Sequence, residues 1–312
     1  NKMDSLGLTY NAMTTHEYTF YEIHGHKNNW KQITDILFEL YLFPKFNSKD
    51  VEIERGVILE EYNMTENNLD DYLYQNLFNN MYNDIHLQQS IIGEKKNLKK
   101  FNRNDLKNFH KKYYNLQNTK FIFIGNINKK KVQNYINNKI KLLPIASKIS
   151  DKTKIKKNNQ KQPRVEFKNI ERTGQSQVLF GFNFSKENDI KTGLVKVLLS
   201  KGMSSKLVNL LRTKLGVSYS VNSDAMKIND DSIFFVKTGV DEKKLVNSLK
   251  GILNVLNKLI TTEITSTELK KIKNIYINDL EALNLDNKEL LHFYAEQSIY
   301  SSKIKSPKQM IK

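Results

Sequence analysis

The sequence predicts an α+β fold carried by two domains, and three observations predict it. Short stretches rich in Tyr, Thr, Val and Phe, at Leu8 to Ile23, Gln177 to Phe184, Val217 to Lys227 and Ser232 to Gly239, read as strands. Longer stretches place apolar residues at helical spacing, most plainly Trp30 to Tyr41, Leu69 to Met81, Glu242 to Ile260 and Thr267 to Leu283. Between them, Pro144 to Pro163 is polar and lysine-rich without either period. It reads as a basic linker between residues 1–143 and 164–312, and at 312 residues each part is long enough to bury its own core.

The elements follow in order. Leu8 to Ile23 divides into two strands with a turn near Thr14-Thr15-His16. Trp30, Ile33, Ile36, Leu37, Leu40 and Tyr41 mark a helix that Pro44 stops. Asn47 or Ser48 then caps a second helix over Val51 to Tyr62. Leu69, Leu73, Leu77 and Met81 form one apolar stripe. Asn104 to Tyr114 is a short basic helix, Lys120 to Ile124 a buried strand ended by Gly125, and Lys131 to Leu143 a closing helix. After the linker come the strand at Gln177, a helix at Ile190 to Leu199, and Gly202-Met-Ser-Ser205, which breaks and restarts the chain as a helix to Leu215. Two strands and the long helices follow, the one from Thr267 opened by a Thr265–Glu268 capping box. A last helix covers Asn287 to Tyr300. No sequence repeat links the two halves.

The helix over Val51 to Tyr62 stands out. Glu54, Val57, Ile58 and Glu61 fall at i, i+3, i+4 and i+7 and share one face. Two apolar residues are thus flanked by carboxylates pointing the same way. Either this is a partly exposed helix with solvated glutamates, or an acidic, metal-ligating face set into a core-facing helix, since a buried carboxylate calls for a cation. His24 and His26 share a strand face but lack an accompanying carboxylate motif, and His16-Glu17 does not open an H-E-x-x-H because Phe20 stands in the second histidine's place.

Composition narrows the partners. The chain is 39% apolar and 27% charged, as soluble globular domains are. No apolar run approaches the length of a membrane span. With no cysteine, disulfides and thiolate metal sites are excluded, and an intracellular site, cytoplasmic or mitochondrial, is expected. The net charge of +17 raises nucleic acid as a partner. However, the lysines are spread through the chain beside Asn and Ile, as an AT-rich gene would produce. Their denser clusters, Lys95 to Lys112 and Lys152 to Lys161, are not interleaved with aromatics as a stacking groove would be. Nucleic acid is therefore not expected.

Five segments in order carry a family resemblance: Asp4 to Thr15 (DSLGLTYNAMTT), Phe43 to Phe46 (FPKF), Glu54 to Glu61 (ERGVILEE), Ile91 to Glu94 (IIGE) and Phe121 to Gly125 (FIFIG). Together they resemble the amino-terminal domain of the inverted-motif zinc peptidases, the family of pitrilysin, insulysin and the mitochondrial processing peptidase. The resemblance implies zinc held by two histidines of an H-x-x-E-H helix and by a glutamate that falls here at Glu61, with Glu54 as a supporting carboxylate. It also makes the strand with Asn11 and Ala12 the edge to which a peptide substrate adds as a further strand. Arg212 to Tyr219 (RTKLGVSY) resembles the family's R-x3-G-x2-Y segment, whose arginine and tyrosine hold the substrate. The chain departs from the family in having no H-x-x-E-H, which the family's spacing places upstream of Asn1.

The resemblance therefore implies two similar domains, each a mostly antiparallel sheet packed against helices, from a zinc metallopeptidase whose catalytic histidine helix lies outside this chain. The segment alone is expected to be inactive. A non-catalytic structural or regulatory subunit of the same fold is the alternative. Since both the glutamate pair and the Arg212–Tyr219 segment lie in one chain, a homodimer or a pairing with a paralogous subunit is expected.

Overall fold

The computed structural model describes residues 2–141, 155–158, 163–167, 175–184, 189–229 and 231–312. In chain order the principal elements are β1 (Thr9–Thr14), β2 (Thr19–His24), α1 (Trp30–Leu42), α2 (Ser48–Glu66), α3 (Leu69–Met81), α4 (Arg103–Tyr113), α5 (Lys129–Ile140), β3 (Gln175–Phe184), α6 (Asp189–Ser200), β4 (Val221–Ile228), β5 (Asp231–Asp241), α7 (Leu245–Thr261), α8 (Ser266–Ala282) and α9 (Asn287–Tyr300). They gather into two compact units that are not the two linear halves. One unit holds β1, β2, α1, α2, α4, α5 and α9, and the other α3, β3, α6, β4, β5, α7 and α8. So α3 and α9 each leave the half in which the sequence places them. Tertiary contacts, apolar for α3 and largely polar for α9, rather than order along the chain decide which unit each joins.

In the first unit β1 and β2 form an antiparallel hairpin, with Thr9 opposite His24, Asn11 opposite Glu22 and Ala12 opposite Tyr21. Its turn is built on Thr15, whose Oγ1 accepts the Glu17 and Tyr18 N–H groups at 3.2 and 3.1 Å. This is the local hydroxyl-to-backbone bonding that makes threonine a turn former. A separate apolar cluster centres on Phe38, Val132 and Ile136, with Phe38 stacked on Phe121 at 5.0 Å. Lys120 to Ile124, expected as a strand, is not one. A strand exists only when its backbone finds a ladder partner, and among the described residues the hairpin strands pair with each other alone. The apolar run is instead explained by Phe121 and Phe123 packing on the Phe38 cluster.

In the second unit the sheet order is β3–β5–β4, antiparallel throughout. Central β5 places Val236 and Val240 in the core with Leu199, Leu207, Leu211, Val217, Val221 and Ile252, the last from α7. Helix α3 packs on β3 where Gly181 stands: a Cβ there would meet Leu77 Cδ1 at 2.2 Å, so the missing side chain admits the leucine. Part of the expected linker is built into this unit. The Asn158 N–H donates to the Met81 carbonyl at 3.0 Å, and Lys157 Nζ donates to Asp231 at 2.5 Å. Most of 144–163 lies outside the described residues. Among those described, no helix is long and apolar enough to cross a membrane.

Replacing the fully buried Ile252 by alanine leaves a cavity between α7 and the sheet. A loss of about 2–5 kcal/mol is expected, read as a lower denaturant midpoint for unfolding of the second unit.

Candidate functional site

The two glutamates lie on α2. Asn47 begins the helix from an extended backbone and donates its side-chain N–H to Asp50 at 3.0 Å. Seven residues of helical rise separate Glu54 and Glu61 by about 10 Å on one face. Both are exposed, as are Ile53, Val57 and Met64, and no residue of α2 is buried. Of the two readings of this helix, the exposed one describes it and the core-facing one does not. Arg55 helps to tie α2 to its neighbours: it grips Glu52 bidentately at 3.0 and 3.1 Å and donates to the carbonyls of Leu98 and Phe101. A planar guanidinium with several fixed donors can tie a helix to a neighbouring loop without an apolar stripe. Glu54 and Glu61 form no hydrogen bond or ion pair among the described residues.

Zinc in a peptidase is held by three protein ligands, leaving one position for water. Among the described residues no three His, Cys, Asp or Glu side chains converge to hold a metal. Glu61 by itself therefore does not fit a zinc centre, and no catalytic step follows through one. His24 and His26 are engaged elsewhere. His26 Nδ1 accepts the Asn28 N–H at 3.3 Å, capping a short helical turn, and His24 Nε2 lies 3.3 Å from Glu22.

Asn11 and Ala12 sit at the middle of β1, every residue of which is exposed. Residues directly opposite in an antiparallel pair put their side chains on the same face, so Asn11 shares a face with Glu22 and Ala12 shares one with Tyr21. The Tyr21 hydroxyl lies 3.1 Å from that of Tyr114. Burial, then the neighbouring tyrosines, push the Tyr21 hydroxyl above the ordinary tyrosine range, so it stays protonated as a donor or acceptor at neutral pH.

In the second unit the structure brings Arg212 and Tyr219 together. The chain from Asn209 to Lys214 is a π-helical turn, with the Leu215 N–H bonded to the Leu210 carbonyl at 3.0 Å. Such wide turns recur at functional sites. Leu211, wholly buried, pins the turn to the core while Arg212 beside it faces outward. Gly216, at φ +57°, then reverses the chain in the left-handed region that glycine adopts freely. As a result the Arg212 guanidinium stands 5.4 Å from the Tyr219 ring centre, a cation–π contact, and Tyr219 is 82% exposed.

Sequence reasoning missed one cluster. Glu22, with 1% of its side chain exposed, accepts from His292 Nε2 at 2.9 Å, lies 3.3 Å from His24 Nε2, and has Lys288 Nζ at 3.7 Å. His292 and Lys288 come from α9, and the Phe20 ring packs 5.0 Å from that of His292. Burial raises the Glu22 carboxyl, but the hydrogen bonds and charge of His24 and His292 outweigh it and hold the group below the usual carboxylate range. No local pattern could have revealed a contact across 270 residues.

The sequence matches the family description "Insulinase (Peptidase family M16)" over residues 1–95 and "Peptidase M16 inactive domain" over residues 100–276. Asn11, Ala12, Glu54 and Glu61 fall in the first span, Arg212 and Tyr219 in the second. The chain is 25% identical over 285 residues to an uncharacterized zinc protease of Rickettsia felis, covering 87% of this chain and 65% of that protein. It is 28% identical over 113 residues to the mitochondrial-processing peptidase subunit beta of Mus musculus, covering 36% of this chain and 23% of that protein. The fold matches the crystal structure of a protease from Helicobacter pylori with a TM-score of 0.87 at 22% identity, over 99% of this chain and 79% of that one. The chain thus spans just under two thirds of the Rickettsia protein's length.

One expectation follows from the isolated carboxylate. After dialysis the chain, residues 1–312, retains no stoichiometric zinc by elemental analysis. One tightly held equivalent per chain would overturn the assignment of Glu61 as a lone donor.

Proposed function

Because the chain belongs to peptidase family M16, we propose that it binds an extended peptide along β1 as part of a zinc-dependent metalloendopeptidase of the processing-peptidase type. The observation that carries this reading is the edge of β1, where all six residues are exposed and β2 is the one ladder partner among the described residues. An unpaired edge offers alternating N–H and C=O groups to an incoming strand, which gives affinity with little demand on side-chain sequence. Asn11 and Ala12 are the centre of that edge. Glu61 is the metal ligand this chain contributes, and Glu54 its supporting carboxylate. Arg212 and Tyr219 hold the substrate main chain, the guanidinium as a donor fork and the ring as an exposed platform. An intracellular compartment, cytoplasmic or mitochondrial, suits a chain without cysteine.

A second reading has a specific observation in its favour. Residues 100–276 match the description of an inactive domain, and in this reading the fold serves as a non-catalytic subunit that captures peptide without cutting it. The two readings share the β1 edge and differ in hydrolysis alone.

Adding a short threonine–alanine peptide to the chain is expected to slow amide hydrogen exchange at alternate residues of Thr9 to Thr14. Binding without protection there would overturn the reading. So would equal protection that grows with protein concentration in the absence of peptide, since the edge would then be pairing with a second copy.

Assembly gives a further expectation. With both motif sets in one chain, a homodimer is the proposed form, with pairing to a paralogous subunit as the variant of that idea. In an active enzyme built on this chain, an inactive Glu61→Gln form and an inactive Arg212→Ala/Tyr219→Ala form should regain peptide cleavage when mixed and allowed to exchange subunits. Heterodimers proven by mass that stay inactive would show that the two motifs act within one copy.

A further inference from the structure

From the Glu22 cluster we infer that Glu22 and His292 are positioning residues for the peptide-accepting strand: helix α9, by gripping the buried Glu22 carboxylate, fixes the hairpin so that its outer edge is presented to the substrate. The inference rests on the reading of β1 as the docking edge. Four observations converge on it. Glu22 lies directly opposite Asn11 in the hairpin register and shares its face. Its carboxylate is buried and receives contacts from His24 on its own strand and from His292 and Lys288 on α9, which are the charged and titratable groups the structure places against it. At the turn of the same hairpin, the Tyr300 hydroxyl of α9 donates to Glu17 at 2.6 Å, and burial together with that carboxylate pushes the hydroxyl well above its ordinary range, keeping it a donor. Lastly, Lys120 donates to the Ser298 carbonyl, tying α9 to the segment after α4.

The physical case is one of stiffness. A two-stranded hairpin is marginal by itself in water, and a strand that frays must be ordered again each time a peptide adds to it. That ordering cost comes directly off the binding affinity. Two grips from one helix, at Glu17 near the turn and at Glu22 in β2, remove most of that freedom before the substrate arrives. The bonds to Glu22 are charge-assisted, and the carboxylate that receives them is itself buried.

Protonation has a definite direction. Because the folded-state value of Glu22 is depressed, its contribution is complete at pH above the unfolded carboxylate range. It is lost as pH falls through the lower folded value. Peptide affinity should therefore decline in that acid window.

The test uses the full chain with a fluorescein-labelled threonine–alanine peptide, reading affinity by anisotropy and hairpin order by amide exchange. Glu22→Gln and His292→Ala should each weaken binding by about 10- to 100-fold, the worth of a hydrogen bond to a charged group. Each should also speed exchange in β2 while leaving β5 protected. His292→Gln, which keeps a donor toward Glu22, should recover much of the affinity, and Glu22→Gln should abolish the acid decline. Unchanged affinity in the variants, or an acid decline that persists in Glu22→Gln, overturns the inference while leaving the docking reading intact. A wild-type chain that binds no peptide fails the docking reading itself, and the positioning role with it. Should Glu22→Gln lose the β5 protection and so prove unfolded, His292→Gln and the wild-type pH profile decide the matter.

Discussion

A hairpin of two strands cannot carry itself in water, and in the first unit the arrangement of β1 and β2 depends on a buried carboxylate. Glu22 is removed from solvent, and a carboxylate in that position is tolerated only with partners that return what hydration supplied. Those partners are His24, His292 and Lys288, two of them on a helix from near the other end of the chain. The contact joins residues 270 apart in sequence, and α9 accordingly belongs to the same unit as the hairpin. Among the described residues β2 is the one ladder partner of β1, whose six residues are all exposed.

The second unit meets a different constraint, that of placing a polar pair on a surface without loosening the core beneath it. The wide turn at Asn209–Lys214 does this by changing the phase of the helix. Leu211 points into a core of Val236, Val240 and Ile252, and Arg212, one residue on, stands outside over the ring of Tyr219. An α-helical continuation would have closed with i to i+4 bonds, whereas the Leu215 N–H reaches back five residues to Leu210. A short helical fragment ended by glycine is therefore enough to hold an arginine and an exposed tyrosine in contact.

Helix α2 shows a third way of fixing an element. It has no buried residue, so apolar burial does not place it. Arg55 contributes to its placement, bonding Glu52 within the helix and the carbonyls of Leu98 and Phe101 beyond it. The consequence is an acidic face, Glu54 to Glu61, left open and unpaired among the described residues. That face carries Glu61, the ligand proposed above, exposed to solvent.

The sequence by itself determined the local elements. Leu69–Met81 and Asn287–Tyr300 begin and end where apolar spacing and capping residues put them, and the α+β class, the paired strands of the hairpin and the family follow from periodicity and ordered motifs. Periodicity and capping act within a few residues, so they can be read from a string. The candidate residues Asn11, Ala12, Glu54, Glu61, Arg212 and Tyr219 were named through the family resemblance, whose motifs are local, and their roles are those proposed above. Tertiary structure alone decided the rest. Phe121 and Phe123 look like strand residues, yet whether a stretch becomes a strand depends on a ladder partner far off in sequence. The membership of α3 and α9 in one unit or the other depends on partners distant in sequence, the sheet and apolar cluster for α3 and the hairpin carboxylates for α9. The Glu22–His292 bond joins two residues with no shared pattern, brought together because a buried charge had to find its partners wherever the fold could deliver them.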